Sequence, residues 1–269
     1  FVAPKKYWDM HDAETIPGPA FETYPEGTPD FVGHTNGELH SYPGVPAGNP
    51  IPADFAKTLR HGYNACISYT DAQIGRLLDA LDAEGLTEQT IVVLWGDHGW
   101  HLGEKGITGK NTLWDRGTKV PLIIAGPGVK GGQRCMQPAE LLDIYPTLIE
   151  LTGLPKRDLL EGISLAPQLR DASTKRTRPA ITSHNQGNHG IRSERWRYIH
   201  YADNTEELYD MKNDPNEWNN VAAVPANAAV ISDLKKWLPK IDVPPAAGSA
   251  SRVLTYDKET DEAIWEGKT

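Results

Sequence analysis

The sequence predicts an α/β protein with a mixed, mostly parallel sheet flanked by helices, followed by a small C-terminal antiparallel sheet with one helix. A long amphipathic pattern over residues 53–84 leads into a continuous apolar run at residues 91–95, as in a helix-strand unit. After residue 180, short alternating runs separated by Gly, Asn and Asp indicate antiparallel strands. We therefore predict a large α/β domain over residues 1–170, a small α+β subdomain over 171–245 and a tail over 246–269.

The predicted helix at 53–84 has apolar residues at three- and four-residue steps, with Asp54 as its candidate N-cap and Gly85 as its stop signal. Cys66 lies on the apolar side of this helix, where we expect it to be buried. Residues 91–95 are apolar and mostly β-branched, which is typical of a parallel strand buried on both faces.

Residues 1–52 are rich in Pro and Gly and show little periodicity, so we predict a loop draped over a larger body. We expect this loop to pack on residues outside the chain. Its His34 and His40 are interpreted as ordinary loop residues.

Three further segments lie between this unit and the small sheet. Residues 119–128 predict a second strand, at an edge or after a bulge because Pro121 lacks an amide donor. Residues 138–151 predict an amphipathic helix kinked at Pro146, with Leu142 and Tyr145 on the buried side. Residues 155–179 are charged and poor in apolar positions, which favours a linker. In the small subdomain, residues 230–238 predict the covering helix. In the tail, residues 252–256 predict one more strand.

The candidate site lies where the 91–95 strand ends. Asp97 and His98 follow that strand, at the sheet edge where open α/β proteins bind ligands. This carboxylate and imidazole are candidate metal ligands, although an Asp at this position also caps turns. Lys110 follows a glycine-rich loop and either returns a positive charge to the crevice or is solvated surface. Arg116 either faces the crevice or pairs with Asp115, and we favour the pair.

A polar turn at residues 185–190 contains Asn185, Asn188 and two glycines. Its side chains could contact a substrate, with His189 as the candidate residue, or serve only the backbone geometry of a tight hairpin.

Composition argues against several classes of protein function. The formal net charge is -9 and no Lys/Arg-rich run occurs, which argues against a nucleic-acid partner. No stretch approaches eighteen apolar residues, so the sequence predicts no membrane span. The chain begins at Phe1 without a signal-like segment, so we expect residues to precede it. Cys66 and Cys135 can form one disulfide or none.

Several ordered motifs together resemble the C-terminal portion of a type I sulfatase, most closely the iduronate-2-sulfatase-like branch. They are YTDAQIGRLLDAL at 69–81, TIVVLWGDHGWHLGE at 90–104, Lys110, VPLI at 120–123, LLDIYPTL at 141–148, RSERWRYI at 192–199 and ELYD at 207–210. The resemblance covers roughly residues 1–240. It implies an alkaline phosphatase-like fold and hydrolysis of a sulfate ester on a carbohydrate.

The resemblance also implies residue roles. Asp97 and His98 match metal-binding positions for calcium, Lys110 matches the lysine that binds the sulfate group, and Trp100 falls near the sugar ring. Family membership further implies a periplasmic, secreted or lysosomal location.

The sequence departs from the family pattern at the nucleophile. Sulfatases oxidise the Cys of a C-x-P-S-R motif to formylglycine, and neither Cys66 nor Cys135 lies in such a motif. The N-terminal pair of Asp metal ligands is likewise absent. We therefore expect a fragment that is inactive alone and needs a companion chain. The alternatives are a noncatalytic carbohydrate-binding remnant and a phosphatase or phosphodiesterase of the same superfamily.

Overall fold

A computed structural model describes residues 2–29, 36–48 and 51–246, together with residues 254–257, 259–260 and 262–265 of the tail. The helices are α1 (Lys5–Trp8), α2 (Gly37–His40), α3 (Ala53–Ala83), α4 (Asp115–Thr118), α5 (Ile144–Thr152), α6 (Ala166–Arg170) and α7 (Ala228–Lys235). The strands are β1 (Val92–Trp95), β2 (His101–Leu102), β3 (Thr108–Gly109), β4 (Leu122–Ala125), β5 (Ala180–Ser183), β6 (His189–Arg192), β7 (Trp196–His200), β8 (Glu206–Asp210), β9 (Leu254–Asp257) and β10 (Glu262–Trp265).

The long helix α3 confirms the prediction for residues 53–84. It ends at Ala83, and Gly85 follows with a φ of 65°, a left-handed conformation that favours glycine. The predicted N-cap is wrong. Pro52 occupies the N-cap position and Asp54 lies in the first turn, where its carboxylate still interacts favourably with the helix dipole. Cys66 is partly exposed rather than buried, and both cysteines are free.

The predicted parallel, doubly buried strand is wrong for β1. It pairs antiparallel with β4, with Val92 opposite Ala125 and Trp95 opposite Leu122. The segment joining the two strands is long enough for a parallel crossover, but it forms the β2–β3 hairpin, a 3₁₀ turn and the four-residue α4 instead of the long helix that usually makes one. All pairs of named strands within the described residues are antiparallel. β1 is also only partly covered, with Trp95 50% exposed. β4 begins at Leu122, directly after Pro121, and it is an edge strand of this two-stranded sheet, which agrees with the prediction of an edge position.

The predicted small antiparallel sheet is confirmed, with strand order β5-β6-β7-β8. The helix predicted for its cover is α7, which lies over one face of the sheet. The apolar cluster between them contains Ile191, Tyr198, Leu208, Ile231 and Leu234.

The other face of this sheet packs against the segment that carries Lys110. Within that cluster Ile107, Leu113 and Trp114 come from the segment, while Ile199, Tyr201, Tyr209 and Met211 come from the sheet or directly follow its strands. The small sheet therefore lies between α7 and the candidate site segment, and its packing fixes where that segment lies.

The predicted linker at residues 155–179 is a packed part of the structure. It contains α6, and Arg176 and Arg178 form ion pairs with Glu140 at 2.7 and 2.9 Å. Arg176 also pairs with Asp143 at 2.7 Å, and both side chains are buried. The charges that suggested a linker are partners in this buried network, which a local pattern does not reveal.

The predicted kink at Pro146 is also wrong. A 3₁₀ turn over Leu141–Asp143 comes first, and α5 begins at Ile144, so Pro146 lies in the first helical turn where its missing N–H has no intrahelical acceptor. Leu142 and Tyr145, predicted to be buried, are exposed.

The N-terminal segment was predicted to pack on residues outside the chain, but it packs on other parts of this chain. The Trp8 ring lies 3.8 Å from the His61 ring of α3, and the Phe21 ring lies 4.8 Å from the Trp218 ring. His40 ends α2, and His34 lies outside the described residues. Across the described residues, each helix is too short or too polar to cross a bilayer. β9 confirms the predicted tail strand from residue 254 on and pairs with β10.

Candidate active site

A short β-hairpin forms the centre of the candidate site. In the pair of β2 and β3, His101 lies opposite Gly109 and Leu102 opposite Thr108. Trp100 directly precedes β2 and Lys110 directly follows β3, so both lie at the open end of the hairpin. The Lys110 ammonium nitrogen lies 5.5 Å from the centre of the Trp100 ring, within cation–π range. The hairpin therefore holds a cation and an indole face side by side.

Asp97 and His98 precede Trp100 in the same segment, and the His98 ring lies near the Trp100 ring. The His98 and Trp100 ring centres are 6.2 Å apart. The Asp97 carboxylate is 78% exposed, and its Oδ1 accepts the His98 backbone N–H at 3.0 Å. The Trp100 ring therefore lies near both the His98 ring and the Lys110 ammonium group.

The His98 ring has a defined orientation. Its Nδ1 lies 2.9 Å from the Gly99 carbonyl oxygen, which can only accept, so Nδ1 carries the proton in this contact. In the neutral ring Nε2 then has a free lone pair, 3.6 Å from Asp97 Oδ2. Two ligands at right angles on a calcium ion with bonds near 2.4 Å would be roughly 3.4 Å apart. The pair therefore fits one side of a metal site.

The pair does not complete such a site. Calcium in proteins usually has about six to eight oxygen ligands. Among the described residues, no group of three or more His, Cys, Asp or Glu side chains is arranged to hold a metal ion. The chain offers part of a coordination shell.

Lys110 has a carboxylate partner that the sequence did not indicate. Its Nζ lies 3.0 Å from Glu38 Oε1, and the lysine side chain is 27% exposed. Glu38 belongs to α2, so the N-terminal segment reaches the site across a separation of 72 residues. An anion bound by Lys110 would share it with Glu38 or displace it.

The site segment is held by Arg197 of β7. Its guanidinium donates to the Leu113 carbonyl at 2.8 Å and to Asp115 Oδ1 at 2.6 Å, and its Nε lies 2.8 Å from Glu217 Oε1. Burial alone would raise the pKa of Asp115, but Arg197 and Lys119 outweigh it, and this pKa lies below its ordinary value. The predicted Arg116–Asp115 pair is wrong, because Asp115 forms its ion pair with Arg197 and Arg116 lies next to Glu104.

Glu207 of β8 lies beneath the same segment. The Trp114 Nε1–H and the Tyr201 O–H donate to Glu207 Oε2 at 2.9 and 3.0 Å. Burial raises the pKa of Glu207 to about 7, even though these donors act against the shift. The segment that carries Trp114 is therefore hydrogen-bonded to a carboxyl group whose pKa is about 7.

His189 lies on β6 inside the small subdomain. Its side chain is buried, with Nδ1 2.9 Å from Ser183 Oγ and Nε2 3.2 Å from Asp242 Oδ2. A substrate group that bound His189 would have to displace Asp242. Its role in substrate binding stays a prediction.

The residues that sequence reasoning missed are Glu38, Arg197, Glu207 and Glu217. Each meets the site segment from at least 72 positions away in the chain. A local pattern contains no signal for such pairings.

Comparison with known proteins agrees with this architecture. The sulfatase family model matches residues 9–154, and a model described as N-sulphoglucosamine sulphohydrolase, C-terminal, matches residues 103–243. A sulfatase of Formosa agariphila is 38% identical over 237 residues, which cover 88% of this chain and 46% of that protein. The chain thus spans about half the length of the curated relatives it matches.

Two solved structures share the fold. A phosphonate monoester hydrolase from Silicibacter pomeroyi superposes with a TM-score of 0.73 at 25% identity, covering 87% of this chain and 52% of that one. A protein solved in complex with its substrate D-glucosamine-2-N,6-O-disulfate superposes with a TM-score of 0.58 at 28% identity, covering 67% of this chain and 40% of that one. The fold is therefore the alkaline phosphatase-like α/β fold of sulfatases, with a small antiparallel sheet. From the family models and the relatives together, the chain belongs to the sulfatase family.

Proposed function

We propose that this chain provides the sulfate-binding half of a sulfatase site that acts on a sulfated carbohydrate. The observation that carries the proposal is the line of Asp97, His98, Trp100 and Lys110 along one loop between β1 and β4. A relative in the same fold was solved with a disulfated glucosamine as its substrate. Within the family, the motifs favour the iduronate-2-sulfatase-like branch.

Sulfate ester hydrolysis needs positive charge on the nonbridging oxygens, a nucleophile in line with the departing alcohol and an acid for that alcohol. Lys110 supplies the charge as a compact ammonium group on a hairpin held by the small sheet. The indole face of Trp100 provides an apolar wall on which the C–H face of a sugar ring can stack.

Asp97 and His98 are proposed as calcium ligands in the complete site. When bound, the ion would add positive charge at the sulfate oxygens. Asp97 would bind through its exposed carboxylate and His98 through Nε2, while the Gly99 carbonyl holds the ring. The remaining ligands would come from outside the described residues.

The nucleophile is proposed to lie outside these 269 residues. Cys66 lies in NACIS and Cys135 in RCMQ, and neither matches the C-x-P-S-R motif. A formylglycine supplied by a companion polypeptide would complete the site. By family, we propose a periplasmic, secreted or lysosomal location for the assembled enzyme.

Binding to the chain by itself tests the proposal. Isothermal titration with D-glucosamine-2-N,6-O-disulfate should show binding that Lys110→Met weakens roughly tenfold, because a charge-assisted contact is lost. Lys119→Met is the matched control, since Lys119 is exposed in the same segment and pairs with Asp115 rather than with Glu38. Binding that ignores Lys110→Met would contradict the assignment of the sulfate contact.

Catalysis gives the second test. The chain alone should not release 4-nitrophenol from 4-nitrophenyl sulfate. Turnover by the purified chain, with intact mass spectrometry showing no second polypeptide, would overturn the placement of the nucleophile.

A second candidate is hydrolysis of phosphonate or phosphate esters, which the likeness to the phosphonate monoester hydrolase favours. Competition between sulfate and phosphonate esters for the Lys110-dependent site would separate the two. A third is a noncatalytic carbohydrate-binding protein, and binding that survives Asp97→Ala with Lys110→Ala would favour it.

A further inference from the structure

A cavity lies beside the hairpin, lined by residues other than Asp97, His98, Trp100 and Lys110. It has a volume of about 460 Å³, within the range of small-ligand sites. It is lined by the N-terminal segment 15–21, by residues of α3 and the hairpin, and by Arg116, Asn216 and Trp218. The side chains used below are Arg60, Arg116, Glu104, Asn64, Phe21 and Trp218.

Arg60 of α3 is the main cation of the cavity. Its Nε is buried and has no hydrogen-bond acceptor among the residues that the structure describes, and no ion pair of Arg60 occurs among them. Its terminal nitrogens lie near the hairpin and the N-terminal segment, 3.6 and 4.0 Å from the positions that a Cβ would take on Gly103 and Gly18. A buried guanidinium donor without an acceptor is costly, and an incoming oxyanion would satisfy it.

The charge balance of the cavity is positive. Arg116 lies at its rim, with Nε 3.5 Å from Glu104 Oε1. Lys105 directs its ammonium group away, to the backbone carbonyls of Asn216 and Glu217 at 2.8 Å. Glu104 is also fixed by the Leu102 backbone N–H at 2.6 Å, so Arg60 has no carboxylate of its own among these side chains.

The wall of the cavity suits a sugar ring. Phe21 and Trp218 lie with ring centres 4.8 Å apart at an interplanar angle of 33°. Aromatic faces stack against sugar C–H groups, and the Asn64 amide adds a polar group for hydroxyls.

The hairpin connects this cavity to the candidate active site. Leu102 and Glu104 line the cavity, and Trp100 and Lys110 lie at the open end of the same hairpin. Trp100 directly precedes β2 and Leu102 ends it, and two residues of extended chain span roughly 7 Å. A neighbouring sugar unit bridges a distance of this order.

We propose that this cavity is a subsite for an acidic sugar next to the one that carries the scissile sulfate, with Arg60 binding its oxyanion group. The group is a uronate carboxylate or a second sulfate. The inference rests on the proposed function, and it predicts a preference for acidic oligosaccharides over single sulfated sugars.

Calorimetry on the chain with three probes tests the subsite. They are sulfated glucosamine, the disaccharide of that sugar with a uronic acid, and the same disaccharide with its carboxyl reduced to an alcohol. We expect the uronic acid disaccharide to bind roughly tenfold tighter than either other probe. A reduced disaccharide carrying a second sulfate separates the two sources: if it regains the affinity, sulfate also satisfies Arg60.

Substitutions of Arg60 and Lys110 show which side chain is responsible for the preference for the acidic disaccharide. Arg60→Met should remove the advantage of the acidic disaccharide and leave the single sugar unaffected, whereas Lys110→Met should weaken both. Arg76→Met is the control, because Arg76 lies on the same helix and contacts Gln73 at an exposed position. Loss of the Lys110 effect alone would contradict the proposed function but not the subsite.

Two results would overturn the subsite. One is equal affinity of the unaltered chain for the acidic and reduced disaccharides, which needs no variant and so does not depend on folding of Arg60→Met. The other is an acidic advantage that persists in an Arg60→Met chain with an unchanged circular dichroism spectrum.

Discussion

The ion pair between Lys110 and Glu38 bears directly on the proposed anion binding. Glu38 neutralises the ammonium group that would otherwise meet a sulfate, and the two side chains come from segments far apart in sequence. The lysine is thereby held in place before any ligand arrives, at the cost of competition with the ligand.

Glu38→Gln removes that competition and keeps the shape of the side chain. We expect a sulfated monosaccharide to bind roughly threefold tighter, the scale of a partly exposed ion pair. Titration calorimetry at fixed ionic strength measures it. Glu14→Gln is the control, since Glu14 pairs with Lys57 on an exposed surface. Weaker binding in Glu38→Gln would show that Glu38 orients Lys110 more than it competes.

Glu207 makes stability depend on pH. Its pKa is raised to about 7 by burial, so the folded chain holds this proton more tightly than the unfolded chain does. Between the ordinary pKa of a glutamate and pH 7 the folded state binds more protons, and stability falls as pH rises through that window. Above about pH 7, ionised Glu207 therefore lowers the free energy of unfolding by on the order of 3 kcal/mol relative to its value at low pH.

Glu207→Gln should flatten that dependence. Thermal unfolding of both chains between pH 5 and pH 8 measures it, since a neutral amide can still accept from Trp114 and Tyr201. Some slope should remain, because burial also raises the pKa of Glu217. An identical slope in both chains would show that Glu207 does not titrate in this window.

At the level of elements, the loop after β1 is fixed by close backbone contact with α4. The Gly99 N–H donates to the Gly117 carbonyl at 3.0 Å, and a Cβ on Gly99 would lie 2.1 Å from the Arg116 carbonyl oxygen. Only glycine fits at this approach. The position of His98 relative to Trp100 depends on it.

Gly99→Ala should therefore shift the loop and destabilise the chain by roughly 1–3 kcal/mol, the usual cost of overpacking. Chemical denaturation measures the loss. Gly131→Ala is the control, because a Cβ there meets no atom within 4 Å. Equal stability of the two variants would contradict the close approach.

Local patterns predicted those elements whose partners are nearby in the chain. The α3 pattern and the Gly85 stop gave its bounds, and the alternating strands gave the small sheet. The sequence also placed Asp97, His98, Trp100 and Lys110 on one loop. It did not predict the antiparallel pairing of β1, the buried ion pairs of Arg176, or Glu38, because each depends on contacts between distant segments.

Over the whole molecule, the sheet of β1 and β4 and the outer side of α3 leave apolar side chains in water. Ile123 is 59% exposed, on the face of the sheet that it shares with its partner Leu94, whereas Trp95 is 50% exposed on the opposite face. Leu77 and Ile67 of α3 are also exposed. Exposed apolar clusters of this kind mark contact surfaces or association. We expect the face that carries Ile123 to be a contact surface of this kind.

Ile123→Lys tests this surface. The unaltered chain should associate as its concentration rises, and the variant should do so less, with little change in melting temperature because Ile123 is already exposed. Light scattering measures the association. Lys130→Met, which adds no charge on this face, is the control. Equal association of the unaltered and Ile123→Lys chains would exclude the face of the β1–β4 sheet that carries Ile123.

The contacts that fix the site segment have a kinetic consequence. Arg197, Glu207 and Lys105 link it to residues between 84 and 112 positions away. Closing such long loops costs entropy before any contact compensates for it, so these contacts form late in folding. We expect the small sheet to assemble first and the hairpin to acquire its ligand-binding geometry in a slower phase. During synthesis, the loop would remain without that geometry until the ribosome had released the last strands of the sheet.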